Sequence, residues 1–223
     1  MAPPTSELAD LTLPELRLAL APAVADAAVF DGWSEAAVDA AAGQLGVAPA
    51  VARLAFPGGA MDMIAAWIDR IDADAALALP REALAPLRVP ERIRRLVEFR
   101  IDAVAGHEEA LRRALAILAM PRNLAQAARL GWRSADLMWR LAGDTATDFN
   151  HYTKRATLSA VVAATLAVHV DDRSEGKAET RAFLDRRLQG VARFEKAKAR
   201  LLRPEAERFS LVRLLGRLRY PAR

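Results

Sequence analysis

Apolar residues in this chain recur three and four positions apart almost from the start, the spacing that gathers them on one face of an α-helix. Leu16, Leu20, Val24, Ala27 and Ala28 follow Pro14 in this way, and Gly32 stops the series, so the pattern predicts a first helix from about residue 14 to about 30. Ser34 opens an alanine-rich stretch that runs to Gln44 and is closed by Gly46, a second helix with a polar cap and a glycine stop. A short third helix is expected over 49–56, before the break at Phe56-Pro57-Gly58-Gly59. Ile64, Ile68, Ile71 and Leu77 mark a fourth. Ile93, Leu96, Val97, Ile101 and Val104 mark another, with Pro90 in its first turn. Further helices are expected over about 107–119, 121–142 with a break near Gly131, 145–170 and 175–200. No stretch alternates with period two between turn signals, so the predicted fold class is all-α.

A long helix, a glycine-containing turn and two short helices have the outline of a helix-turn-helix. The Phe56-Pro57-Gly58-Gly59-Ala-Met-Asp-Met-Ile64 passage after them resembles the point where TetR-type regulators pass from recognition helix to fourth helix. The expected organisation is a loose leader at 1–13, a helix-turn-helix-like head at 14–56, a TetR-like helical bundle at 57–200, and a last amphipathic helix at 204–220.

Composition supports helices over sheets, because the hydrophobic share is 53% while aromatic residues make up only 6%. The chain has no cysteine, which excludes disulfides, a thiol nucleophile and thiolate-held metals. Its N-terminal stretch lacks the basic, apolar or arginine-rich character of a targeting segment, and the run Ala156–Val170 is shorter than the roughly 20 residues that cross a bilayer. A cytoplasmic protein of a bacterium is therefore expected.

The net charge of +4 conceals an asymmetry. The predicted head, residues 1–56, holds only Arg17 and Arg53 against Glu7, Asp10, Glu15, Asp26, Asp31, Glu35 and Asp39. A DNA reader must neutralise phosphates, so nucleic-acid binding is not expected of this head, and a ligand-responsive TetR-type regulator is only the second-choice function. The positive charge collects beyond Ala192. There Leu211, Leu214, Leu215 and Leu218 share one side of the last predicted helix while Arg213 and Arg217 stand opposite, the pattern of a helix lying in a membrane interface.

The three histidines, His107, His151 and His169, form no paired Glu-x-x-His motif and no zinc-protease motif, and no glycine-rich phosphate loop occurs. No catalytic residue, metal or cofactor is assigned, and a non-enzymatic role is expected.

The most specific signal is an ordered set of motifs between about residues 108 and 188. It runs from Met120-Pro121-Arg122-Asn123 through Asp136-Leu-Met-Trp139, Ala142-Gly143-Asp144 and Thr147-Asp148-Phe149-Asn150 to Tyr152 and Arg155, with Arg181-Ala-Phe-Leu-Asp-Arg-Arg187 later. By helical spacing, Asp148, His151, Tyr152 and Arg155 share one face, while Phe149, Leu158 and Val162 turn toward the core. That face is either a solvated surface or a docking patch, since Tyr and Arg are enriched at interface hot spots. An apolar cavity could be lined by Leu115, Leu118, Met120, Leu137, Met138, Leu141, Leu158 and Val162.

This segment resembles the accessory protein family of coenzyme Q (ubiquinone) biosynthesis. The resemblance implies a lipid-binding protein on a TetR-like scaffold, holding an isoprenoid quinone precursor or a phospholipid. It further implies a face at Asp148, Asn150, His151, Tyr152 and Arg155 that docks the demethoxyubiquinone hydroxylase; eukaryotic members of the family carry a tryptophan where this chain has His151. A membrane-associating final helix at the inner membrane surface and a homodimer complete what it implies.

Overall fold

The computed structural model of the chain describes Leu8 and residues 10–145 and 149–201, and all regular structure among these is helical. Most of the predicted leader, Asp148 and the whole predicted last helix with Leu211, Arg213, Leu214, Leu215, Arg217 and Leu218 lie outside the described residues. The helices are α1 (Leu13–Asp31), α2 (Glu35–Leu45), α3 (Pro49–Leu54), α4 (Ala60–Ala78), α5 (Arg81–Leu84), α6 (Val89–Ala103), α7 (Glu108–Leu118), α8 (Leu124–Leu141), α9 (Phe149–His169) and α10 (Ala178–Leu201). Short 3-10 turns at Pro121–Asn123 and Glu175–Lys177 lead into α8 and α10. The chain divides into two compact units, residues 1–185 and 186–223.

Local chemistry accounts for the helix ends. At the start of α1 the Thr12 N–H donates to the Glu15 carboxylate at 2.9 Å, and the hydrogen bonds from Thr12 hold that carboxyl below its usual range. At the end of α2, Gly46 takes the left-handed conformation at φ 69°, which a residue with a Cβ adopts only under strain. α5 was not expected from the sequence; at four residues it is too short to show a hydrophobic period.

The predicted head and bundle share one core. α1 buries Leu16, Leu20, Val24 and Ala28 in the same cluster as Val38 of α2 and Ile64, Trp67 and Ile71 of α4. Trp33, in the turn before α2, donates its indole N–H to the Ala110 carbonyl of α7 at 2.9 Å, and its ring lies 5.4 Å from that of Trp67. The boundary expected at residues 56–57 is thus a turn with a continuous core on either side.

Leu77 lies within α4 as expected but is 81% exposed, because it follows Ile71 by six residues and so stands about 240° further round the helix. The break expected near Gly131 does not occur, and α8 runs through it unbroken. A Cβ there would lie 3.3 Å from Ser159 Oγ of α9, so this glycine serves the close approach of two helices rather than a bend.

The corner between α9 and α10 is built on Asp172. Its carboxylate accepts from the Ser174 N–H and hydroxyl at 2.8 and 2.5 Å and from the Thr180 N–H and hydroxyl at 2.8 and 2.6 Å. Burial pushes this carboxyl up, but the hydrogen bonds outweigh burial and hold it well below the usual carboxylate range. Beside it His169 is fully buried, with neither ring nitrogen hydrogen-bonded. Burial and the nearby Lys177 ammonium lower its pKa, against the opposing pull of Glu108, Asp172 and Asp102.

Two predictions follow from these local arrangements. Gly43 lies inside α2 with nothing within 4 Å of where a Cβ would stand, so Gly43→Ala should raise unfolding stability by about 0.5–1 kcal/mol. Gly46→Ala should lower it by about 1 kcal/mol, and urea denaturation of the two variants tests the opposite signs. For His169, the unfolded imidazole titrates near 6.5 and the folded one lower, so the unfolded chain binds the proton first. That contribution to stability is whole above about pH 6.5 and falls below it. Denaturant unfolding from pH 7.5 to 5 should show the loss, and His169→Leu should flatten it; an unchanged slope in the variant would exonerate the imidazole.

Candidate functional site

Five helices of the first unit surround a cavity of about 290 Å³. α4 contributes Ile64, Trp67, Ile68 and Ile71, and α7 contributes Leu111, Ala114, Leu115 and Leu118. Leu130 and Ala135 of α8 and Val162 and Leu166 of α9 close the far side. The wall is apolar except where Arg100 of α6, Ser134 of α8 and Ser159 of α9 meet it. The Arg100 guanidinium is 5% exposed, is paired with Asp72, and donates to Ser134 Oγ at 3.1 Å. Ser134 in turn donates to Asp72 at 2.6 Å.

Of the residues expected to line a cavity, Leu115, Leu118 and Val162 do so. Leu137, Met138, Leu141 and Leu158 do not, because the cavity ends at Ala135 on α8, short of the first three, and at Ser159 on α9, short of Leu158. Met138 and Leu158 are packed interior instead, 4% and 3% exposed. Met120 is exposed, with its sulfur accepting from Arg122 at 3.5 Å. The isoleucines of α4 were legible as an apolar stripe, but nothing in their spacing distinguishes a cavity wall from ordinary core.

At the other end of the α8–α9 pair the expected docking residues separate. Asn150 and Tyr152 are exposed, Tyr152 by 61%, and the His151 ring lies 5.2 Å from the Tyr152 ring. Trp132 of α8 joins them, its ring 6.0 Å from Tyr152 and 6.4 Å from His151. It is a member of the face that helical spacing along α9 alone could not reveal.

Arg155 is not part of that surface. It is 2% exposed and donates to Asp136 of α8 at 2.6 Å, to Asp144 at 3.2 Å and to the His151 carbonyl at 3.1 Å. Lys154 also binds Asp144, at 2.7 Å, and its ammonium lies 5.1 Å from the Trp139 ring centroid. The spacing that put Arg155 on the face of Tyr152 took no account of the two carboxylates drawing it inward.

A helix-turn-helix-like head continuous with a bundle that encloses an apolar cavity is a TetR-like architecture. The TetR transcriptional regulator from Nitrosomonas europaea superimposes with a TM-score of 0.63 at 24% identity, covering 80% of this chain and 98% of that one.

Residues 124–195, the stretch of α8, α9 and much of α10, match the COQ9 family model. The ubiquinone biosynthesis protein COQ9 of Rattus norvegicus is 32% identical over 164 residues, which is 70% of this chain and 52% of that protein. Its Homo sapiens counterpart is also 32% identical, over 70% of this chain and 51% of its own length. The chain is similar to the COQ9 family over this stretch, and it spans about half the length of the curated relatives it matches. Both relatives are named as mitochondrial. Among the described residues of this chain no helix is long and apolar enough to cross a membrane.

The two ends of the Tyr152 face should respond differently to truncation. Arg155→Ala leaves two carboxylates without their buried partner and should cost about 3–5 kcal/mol. Tyr152→Ala, at an exposed position, should stay within about 0.5 kcal/mol of the parent in the same chemical denaturation.

Proposed function

We propose that this protein is a non-enzymatic lipid-binding accessory factor of ubiquinone biosynthesis, which shelters an isoprenoid quinone precursor and presents it to the demethoxyubiquinone hydroxylase. The observation that carries the proposal is the apolar cavity of about 290 Å³ whose far wall is made by α8 and α9, within the COQ9-matching stretch. Such a volume stands at the lower end of the roughly 300–1,000 Å³ of small-molecule sites. It suits one end of a long lipid, with the remainder leaving the bundle.

The docking element in this reading is the Trp132, His151 and Tyr152 group with Asn150, an aromatic surface of the kind that dominates interfaces. The membrane element is the arginine- and leucine-bearing segment from Leu211 to Leu218, and association with the inner membrane surface and a homodimer belong to the same proposal. A TetR-type regulator is disfavoured by the head's own chemistry. Arg53 of α3 is paired with Asp39 of α2, and Arg17 donates to the Asp62 carbonyl at 2.7 Å with that residue's carboxylate 3.6 Å away. Phosphate binding would have to compete with both carboxylates.

Organic extraction of the purified protein followed by mass spectrometry should yield a polyisoprenoid or phospholipid. An empty protein that shifts a DNA operator at low salt would favour the regulator instead. In a pull-down with the hydroxylase, Tyr152→Ala should retain less than about a tenth of the parent's binding, as expected of an aromatic hot spot.

A further inference from the structure

The wall of the cavity reaches solvent at one end. Among the described residues that line it, only Ala119, just past α7, and Ala163 of α9 are exposed; the rest are buried or partly buried. These two fall together. α8 and α9 run antiparallel through the Trp139–Lys154 hydrogen bond and the Gly131–Ser159 contact, so Ala163, one turn beyond Ser159, comes level with Ala127, one turn before Gly131. Ala127 also lines the cavity, and the 3-10 turn at Pro121–Asn123 joins its helix to the segment of Ala119. The mouth therefore lies beside the α7–α8 turn.

This turn holds apolar side chains in water. The Asn123 side-chain amide donates to the Ile117 carbonyl at 2.8 Å, and the Asn123 backbone N–H donates to the Met120 carbonyl at 2.8 Å. On the turn so fixed, Met120 is 37% and Leu124 53% exposed, with Pro121, Ala125 and Ala128 also at the surface. The charge here is one-sided. Between Glu109 and Asp136 the chain has five arginines and no acid. Arg112, Arg113 and Arg133 are held by Asp171, Glu109 and Asp69. Arg122 and Arg129 are exposed and have no carboxylate partner among the described residues.

We propose that the α7–α8 turn is a membrane-facing portal of the cavity. Met120 and Leu124 enter the interface of an anionic bilayer, Arg122 and Arg129 meet its phosphates, and the guest passes between bilayer and cavity beside Ala119. The passage of the guest rests on the lipid-sheltering reading above, whereas the docking of the turn on the bilayer does not. Charge and apolarity together select the partner: guanidiniums with no acid to neutralise them suit an anionic leaflet, and the thioether and isobutyl groups between them suit the acyl boundary beneath it. Continuity with the cavity gives the contact a purpose, because a water-insoluble guest then changes hosts without exposing its apolar surface.

The chain has no cysteine, so a single introduced one can carry a nitrobenzoxadiazole dye on the full chain. At Leu124→Cys the dye should shift to the blue and brighten with phosphatidylcholine vesicles that contain phosphatidylglycerol; at Leu54→Cys, 63% exposed on α3, it should not respond. Arg122→Gln combined with Arg129→Gln should weaken binding to these vesicles roughly thirtyfold, at about 1 kcal/mol for each base, and leave pure phosphatidylcholine unaffected. Both positions are exposed, so the thermal midpoint of the double variant should match the parent's. A Leu124 dye that stays in water, whether or not the protein sediments with vesicles, overturns the portal, as does a dye that answers to the hydroxylase and not to lipid. An unchanged vesicle affinity in the double variant overturns the charge selection. Ubiquinone delivered in detergent tests the shelter separately: if it fails to bind while the dye inserts, the docking stands and the sheltering reading falls, and if it binds while the dye stays in water, the reverse holds.

Discussion

Arg155 is the pin between α8 and α9, and the proposed site depends on its being held. Its guanidinium is removed from water and shared between Asp136 on α8, Asp144 at the turn and the His151 carbonyl on its own helix. Desolvating these charges is offset only by their mutual geometry, so the arrangement tolerates little displacement and fixes the two helices against each other. Trp139 adds to it, donating its indole N–H to the Lys154 carbonyl at 3.1 Å. From this point the helices run toward Gly131 and Ser159, where the absence of a side chain lets them approach beside the cavity.

The pin also separates two sides of the pair. On its outer side, holding Arg155 inward leaves Tyr152, His151 and Trp132 as an aromatic cluster. On its inner side the same two helices supply Leu130, Val162 and Leu166 to the cavity wall.

The head combines an apolar core with a set of charges dominated by acids. Trp33, Val38, Phe56 and the alanines of α1 and α2 form the core. The two bases that helical position makes available, Arg17 and Arg53, are each engaged by an aspartate, one from α4 and one from α2. Because the buried face sets the fold and the exposed face sets the ligand, the two can diverge independently.

The one-dimensional pattern determined the helices, their order and most of their ends, because the 3.6-residue period, caps and glycine stops act over a single turn. The order of motifs from Met120 to Arg155 carried the family resemblance in the same local way. Tertiary structure alone decided which apolar residues enclose space and which fill it: Leu118 and Leu137 read alike on a helix, and only the first reaches the cavity. It also decided the fate of the polar residues. Arg155 turns inward because Asp136 and Asp144 are near it in space, and Arg100, Ser134 and Asp72, from three helices, meet at one point. Convergence of that kind is set by packing distances between distant segments, and no periodicity along a single helix records it.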